Sequence, residues 1–205
     1  RYHLISEWAS GNGIESVFLG HTSDDQAETF LLRLARGSGV DGLSAMTSKS
    51  YRSRIYWLRP LLNTSRKDLR NFLDEEDIPY VNDPSNEDLR FDRIKVRKVL
   101  ESSIKYGLET ARLVETSHRM AQARDVLNNV AFQFARKHVF QTKIGTVAVD
   151  LQELKLLLPD TRHRILSYVV KWVSDNPYGA RAKTLENTLI SAMEGKSRTC
   201  CGCVL

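Results

Sequence analysis

The chain has 205 residues, 41% of them hydrophobic and 27% charged, with a formal net charge of +5 at pH 7, the composition of a globular protein able to bury one large core or two smaller ones. No uninterrupted apolar run approaches the roughly 20 residues that span a bilayer, and the opening Arg1-Tyr2-His3-Leu4-Ile5 has no signal-peptide pattern, so a cytoplasmic protein is expected. All three cysteines lie between Cys200 and Cys203, which excludes a disulfide framework.

The first predicted element is a helix over Tyr2 to Ala9, which feeds a strand at Ile14 to Leu19. The stretch Gly20-His21-Thr22-Ser23-Asp24-Asp25-Gln26-Ala27-Glu28-Thr29 follows and opens a helix through Phe30 to Arg36. If that helix begins near Ser23, Asp24 and Glu28 stand one turn apart and Asp25 and Glu28 three residues apart, so the carboxylates share a face. His21 sits in the turn before them. Three acids and an imidazole at the carboxyl end of a buried strand suit a divalent cation on a polyphosphate, which makes Asp24, Asp25 and Glu28 candidate magnesium ligands. A plain helix start explains the same residues differently. Ser23 with Gln26, or Asp25 with Glu28, makes a capping box, and acids are favoured at the positive end of a helix.

Arg36-Gly37-Ser38-Gly39 is a natural helix stop. Ile55 to Leu62 reads as a short strand closed by Pro60, which leaves Arg59 at the strand end. By position alone Arg59 is a solvated arginine, although a guanidinium there could also pair with phosphate. Ser65 to Asp77 reads as an N-capped helix with Leu69, Phe72 and Leu73 on one side. Ile78 to Asn86 is a turn-rich loop containing Asp83-Pro84-Ser85-Asn86. The basic helix after it, Arg90 to Lys98, sets Arg93 and Arg97 one turn apart.

A domain boundary is expected near Tyr106-Gly107, dividing the chain into 1–106 and 107–205. From Leu108 to about His138 there is neither proline nor glycine, and Leu113, Met120, Leu127 and Phe134 recur every seven residues. This predicts one long amphipathic helix whose stripe is core, with Arg112 and Arg119 two turns apart on another face, where they could meet a phosphate backbone, although a solvated basic face is the commoner explanation. Val139 to Asp150 reads as a hairpin around Lys143-Ile144-Gly145-Thr146. Two short helices follow, Leu151 to Leu158 and Thr161 to Val173. The second interleaves Arg162, Arg164 and Lys171 with Tyr168 and Trp172, which suits either RNA contact or helix packing with snorkelling basic side chains. Lys183 to Glu194 is the last helix. Cys200-Cys201-Gly202-Cys203 lacks the fourth ligand of a closed zinc site, so a closing strand with small buried thiols is expected.

Charge is uneven along the chain. Residues 1–106 hold 16 Lys+Arg against 16 Asp+Glu, and residues 107–205 hold 14 against 9. A basic half beside a neutral one fits a nucleic-acid platform next to a nucleotide site, because phosphate contacts dominate affinity for RNA.

Together, Gly-His-x-x-Asp-Asp-Gln-Ala-Glu-Thr at Gly20 to Thr29, Leu-Leu-Arg-Leu-x-Arg-Gly-Ser-Gly at Leu31 to Gly39, and Gly42-Leu43-x-Ala45-Met46 form a long and unusual run. It resembles the tRNA(Ile)-lysidine synthetases of the PP-loop nucleotide α-hydrolase superfamily. Arg59-Pro60-Leu61-Leu62 with Ser65-Arg66-x-x-Leu69, then Asp83-Pro84-Ser85-Asn86 with Arg93-x-x-x-Arg97, are similar to the same family. The match departs at Ile94, where asparagine is usual, and at Glu101-Ser102-Ser103, where Leu-Pro is common.

The resemblance implies an α/β fold: part of a doubly wound parallel sheet of the PP-loop ATPase type in 1–106, then a mainly helical substrate domain with a small β element. It implies a ligase. ATP adenylates the C2 oxygen of the wobble cytidine in the CAU anticodon of tRNA(Ile), and the ε-amine of free L-lysine displaces AMP. His21, Asp24, Asp25 and Glu28 would then serve ATP, magnesium or lysine, and Arg59 the nucleotide or activated base. Asp83 and Asn86 would line the cleft, with Arg93 and Arg97, and by position Arg112 and Arg119, for the tRNA backbone. The family's Ser-Gly-Gly-x-Asp-Ser phosphate loop does not occur in these 205 residues, so this polypeptide by itself is expected not to adenylate RNA, although the full-length protein does. Two rival readings stand beside this one: a non-catalytic tRNA-binding module, and a PP-loop enzyme that thiolates tRNA, which would usually rely on paired Cys-x-x-Cys cysteines, whereas the one such spacing here is Cys200 to Cys203 near the end of the sequence.

Overall fold

A computed structural model of the protein describes residues 2–83, 90–174, 176, 180 and 182–204. The chain packs as two compact units, 1–124 and 125–205, and the division falls inside one long helix.

The first unit starts with α1 (Tyr2–Gly11), β1 (Ser16–Phe18) and α2 (Ser23–Ala35). It continues with α3 (Val40–Leu43), β2 (Lys49–Arg52), β3 (Ile55–Leu58), α4 (Arg66–Glu75) and α5 (Asp92–Ser103). A 3₁₀ turn over Ile104–Tyr106 ends at Gly107, whose φ of 81° is the left-handed angle that closes it. Helix α6 (Thr110–His138) begins beyond it.

The three strands are ordered β1-β3-β2. β1 and β3 run parallel, with Val17 opposite Trp57, because α2 carries the chain back across the sheet between them. β2 and β3 run antiparallel, since only Ser53 and Arg54 join them. The described strands therefore make a mixed sheet with one parallel pair, not a run of parallel strands. Ser53 and Arg54 sit at φ 52° and 61°, the pair of positive angles that a two-residue hairpin loop of the primed type requires.

Burial along β3 alternates, so Ile55 and Trp57 face inward and join Ala9 in a core flanked by Ile5, Ile14, Val17 and Leu19. The indole Nε1 of Trp57 donates to the Arg52 carbonyl (3.4 Å), and the Tyr2 ring meets the indole edge-on at 4.7 Å. A second core of Ala27, Phe30, Leu100 and Leu113 packs α2 against α5 and the start of α6. Together these cores fix the start of α2 at the carboxyl end of β1.

The second unit holds the rest of α6, the hairpin β4 (Val139–Gln141) and β5 (Val147–Val149), α7 (Leu151–Leu156) and α8 (Pro159–Ser174). It is completed by α9 (Ala182–Met193) and the hairpin β6 (Thr199–Cys200) and β7 (Cys203–Val204). Its core is Ala131, Leu154, Ile165, Leu166, Val170, Leu185 and Cys200. Arg164, only 6% exposed, is satisfied there by Asp160 and by Asn128, each at 2.7 Å. An apolar cavity of about 460 Å³ is bordered by Val149, Leu154, Val170, Leu189 and Val204. No helix among the described residues is long and apolar enough to cross a membrane.

Candidate functional site

Helix α2 begins at Ser23, as expected, but its cap is Thr22 and not Ser23 or Asp25, because Thr22 is extended (φ −107°, ψ 176°) and forms a reciprocal box with Asp25. The Asp25 Oδ2 accepts from the Thr22 N–H (2.8 Å) and hydroxyl (2.9 Å). Asp24, Asp25 and Glu28 then project from the first turns of α2 toward the start of α4. The N-terminus of α4 is fixed in the same way, by Ser65 and Asp68.

One residue meets all three acids. Arg66, the first residue of α4, donates its backbone N–H to Asp24 Oδ2 (2.8 Å), its Nη2 to Asp25 Oδ1 (2.9 Å) and its Nη1 to Glu28 Oε1 (2.9 Å). From α5, Arg97 Nε donates to the same Glu28 oxygen at 3.0 Å. The Glu28 side chain is 1% exposed, and its Oε2 has no hydrogen-bond partner among the described residues.

Burial alone would push the Asp25 carboxyl up, but the Thr22 hydrogen bonds and the Arg66 charge together outweigh it and hold the group below its usual range. Burial would likewise favour a neutral Arg66. The hydrogen bond and charge of Glu28, with the charges of Asp25 and Asp24, reverse that and hold the guanidinium charged still more firmly.

A cleft of about 980 Å³ opens over this cluster. Asp25 and Glu28 border it, together with six arginines: Arg33 from α2 and Arg36 at its C-cap, Arg66 and Arg70 from α4, and Arg93 and Arg97 from α5. Ile94, where the family pattern has asparagine, is buried and also borders it. Glu28, Arg66, Arg70 and Arg97 border a second cleft, of about 500 Å³, whose other sides carry Asp24, Asp74 and Glu101. His21, Asp25 and Arg93 border a third hollow, with Tyr2 and Ile5 of α1.

The expected site residues fall into three groups. His21, Asp24, Asp25, Glu28, Arg93 and Arg97 are brought together around these clefts. Arg59 is directed elsewhere: its Nη1 donates to the Thr47 carbonyl (3.0 Å) and the Ser50 hydroxyl (3.4 Å), bracing the β2–β3 hairpin. Arg112 and Arg119 lie exposed on α6 without bordering the clefts, and Arg119 pairs with Glu115. Asp83 is exposed, and Asn86 lies outside the described residues.

The carboxylates do not converge on one point as a cation cage would have them. Among the described residues no group of three His, Cys, Asp or Glu side chains is arranged to hold a metal. All three acids spend an oxygen on Arg66, and Asp25 spends its other on the helix cap. Nor did the sequence reading assign Arg66 a place in the site. The available signal was a basic residue at the first position of a capped helix, where its charge opposes the helix dipole unless acids lie opposite.

The PP-loop domain family matches this chain over residues 1–104. A tRNA(Ile)-lysidine synthase of Ruegeria pomeroyi is 37% identical over 207 residues, covering 100% of this chain and 49% of that protein. The tRNA(Ile)-lysidine synthase of a Wolbachia of Brugia malayi is 35% identical over 185 residues (90% of this chain, 43% of that protein), and that of Zymomonas mobilis 28% over 202 (96% and 59%). The chain thus spans about half the length of the curated relatives it matches.

Proposed function

The chain belongs to the PP-loop family, and from that premise we propose that it is the part of a tRNA(Ile)-lysidine synthase that brings ATP, L-lysine and the CAU anticodon of tRNA(Ile) together. The observation that carries this reading is the mixed character of the larger cleft, which the buried Glu28 and the partly buried Asp25 border together with six arginines. A polyanion and a cation are both needed to fill such a space. RNA and ATP supply the first, and the lysine ammonium supplies the second.

In the proposed reaction the C2 oxygen of the wobble cytidine attacks the α-phosphorus of ATP and pyrophosphate leaves. The ε-amine of lysine then attacks C2, the C2–oxygen bond breaks, and AMP departs. The amine must lose a proton to attack, and in this reading Glu28 Oε2, buried and without a partner among the described residues, takes it. Arg93 and Arg97 serve the anionic substrates, Arg112 and Arg119 the tRNA backbone, and Asp83 and Asn86 the mouth of the cleft. His21 serves ATP, Asp25, both of whose oxygens are taken, holds the helix cap and Arg66 in place, and Arg59 acts indirectly, by holding the hairpin beside β3.

The donor set fits magnesium only in its usual manner, carried mainly by substrate phosphates with a carboxylate such as Asp24. So held, the cation would offset phosphate charge. We further propose that residues 1–106 form part of a doubly wound parallel sheet domain, that 107–205 form the substrate domain, and that the protein acts in the cytoplasm, where its tRNA is found.

The test is ATP-dependent incorporation of labelled L-lysine into tRNA(Ile) by the full-length protein. Incorporation that requires both ATP and cytidine at the wobble position is expected. Binding of tRNA without incorporation would overturn the ligase reading.

A further inference from the structure

We propose that Arg66 is a positioning residue for the lysine step, holding Asp25 Oδ1 and Glu28 Oε1 so that Glu28 Oε2 is the oxygen offered to the substrate amine. The proposal rests on the ligase reading above and deepens it.

The geometry leaves little freedom at these carboxylates. Both oxygens of Asp25 are used, Oδ2 by Thr22 and Oδ1 by Arg66. Glu28 Oε1 takes two charged donors, Arg66 Nη1 at 2.9 Å and Arg97 Nε at 3.0 Å. Oε2 of the same carboxylate takes none among the described residues, although Glu28 is 1% exposed. An unpartnered oxygen on a buried charged group is costly, and it persists where neighbouring bonds over-determine the conformation.

Those neighbouring bonds come chiefly from Arg66. Its guanidinium is a planar fork, so bonding Asp25 with one arm fixes where the other arm holds Glu28. Its own backbone is pinned by the Ser65–Asp68 box and by Asp24. The main chain, the fork and the carboxylate thus form one rigid path to Oε2. Both arms of the guanidinium are spent on the carboxylates, so its role is exerted through Glu28.

Steady-state lysine incorporation by the full-length protein tests this, comparing Arg66→Lys and Arg66→Gln with wild type. Lysine keeps the charge but cannot reach two carboxylates at once. We expect KM for L-lysine to rise roughly tenfold to a hundredfold in both variants, the loss a misplacement near 1 Å produces, while KM for ATP stays within about twofold. Thermal melting reports folding separately, and if Arg66→Gln melts below the assay temperature, Arg66→Lys decides. Wild-type KM for lysine in Arg66→Lys overturns the proposal, as does a change shared equally by the ATP and lysine constants, which would mark a merely structural arginine. Failure of the wild-type protein to incorporate lysine sinks the ligase reading instead, so the two failures are distinguishable.

Discussion

Arg97 Nε lies 3.0 Å from Oε1 of Glu28, a residue 69 positions earlier in the chain, and this bond ties α5 to α2 beneath the larger cleft. The partner is 1% exposed and shares the same oxygen with Arg66.

Replacing Glu28 by glutamine therefore leaves two guanidinium groups facing a neutral amide. The expected cost is about 2 kcal/mol of stability, the range for hydrogen bonds to charged groups, read from urea denaturation midpoints. Lysine incorporation is expected to fall by on the order of a hundredfold or more, because the proposed proton acceptor is lost.

Asp25 controls the acid limb of stability. Its carboxyl titrates below the ordinary range in the folded chain, so the native state binds its proton less readily than the unfolded state does. Its contribution is fully present above about pH 4, the ordinary aspartate value, and drains away as the pH falls through the lower folded value. Unfolding midpoints followed downward from pH 5 should decline more steeply for wild type than for Asp25→Asn. Parallel curves would contradict this.

The cysteines are expected to separate by reactivity. Cys200 is buried in the second unit's core, and burial, together with the neighbouring Cys201, pushes its thiol up, whereas Cys201 is exposed. Iodoacetamide should label Cys201 in the native protein and Cys200 only after denaturation, as mass spectrometry of the peptides would show. Because the Cys200 value is raised, its stabilising share is intact below about pH 8.5 and is lost as the pH climbs through the folded value.

The Ser53-Arg54 turn offers a stabilising change. Both residues hold positive φ angles that cost a side-chain-bearing residue roughly 1 kcal/mol or more, while asparagine and glycine adopt them readily. The double substitution Ser53→Asn with Arg54→Gly is expected to raise stability by about 1 kcal/mol, measured as a higher urea midpoint.

That turn also shows why part of the fold was hidden in the sequence. Nothing in Ser53-Arg54 signals a hairpin in the way Asn-Gly would, so β2 went unseen and the sheet was expected to be parallel. Where local chemistry was explicit, the reading carried through. Ser65 does cap α4, α6 runs to His138 as its seven-residue repeat indicates, and the hairpin after it turns near Gly145.

The acid face of α2 was visible because helical spacing alone brings Asp25 and Glu28 together. Its partners were not, since Arg66 and Arg97 arrive from 38 and 69 positions away and no local pattern encodes that approach. Arg59 failed to reach the clefts for a related reason: its guanidinium bonds the unforeseen β2 side of the hairpin.

Glu28 forms part of the wall of two hollows, the arginine-rich one and its smaller neighbour, so a guest in either alters the field felt in the other. Thermodynamic linkage makes that influence mutual: if filling the first tightens the second by about fivefold, filling the second must tighten the first by the same factor. Occupancy of the pair is thus a shared property, set by one buried side chain.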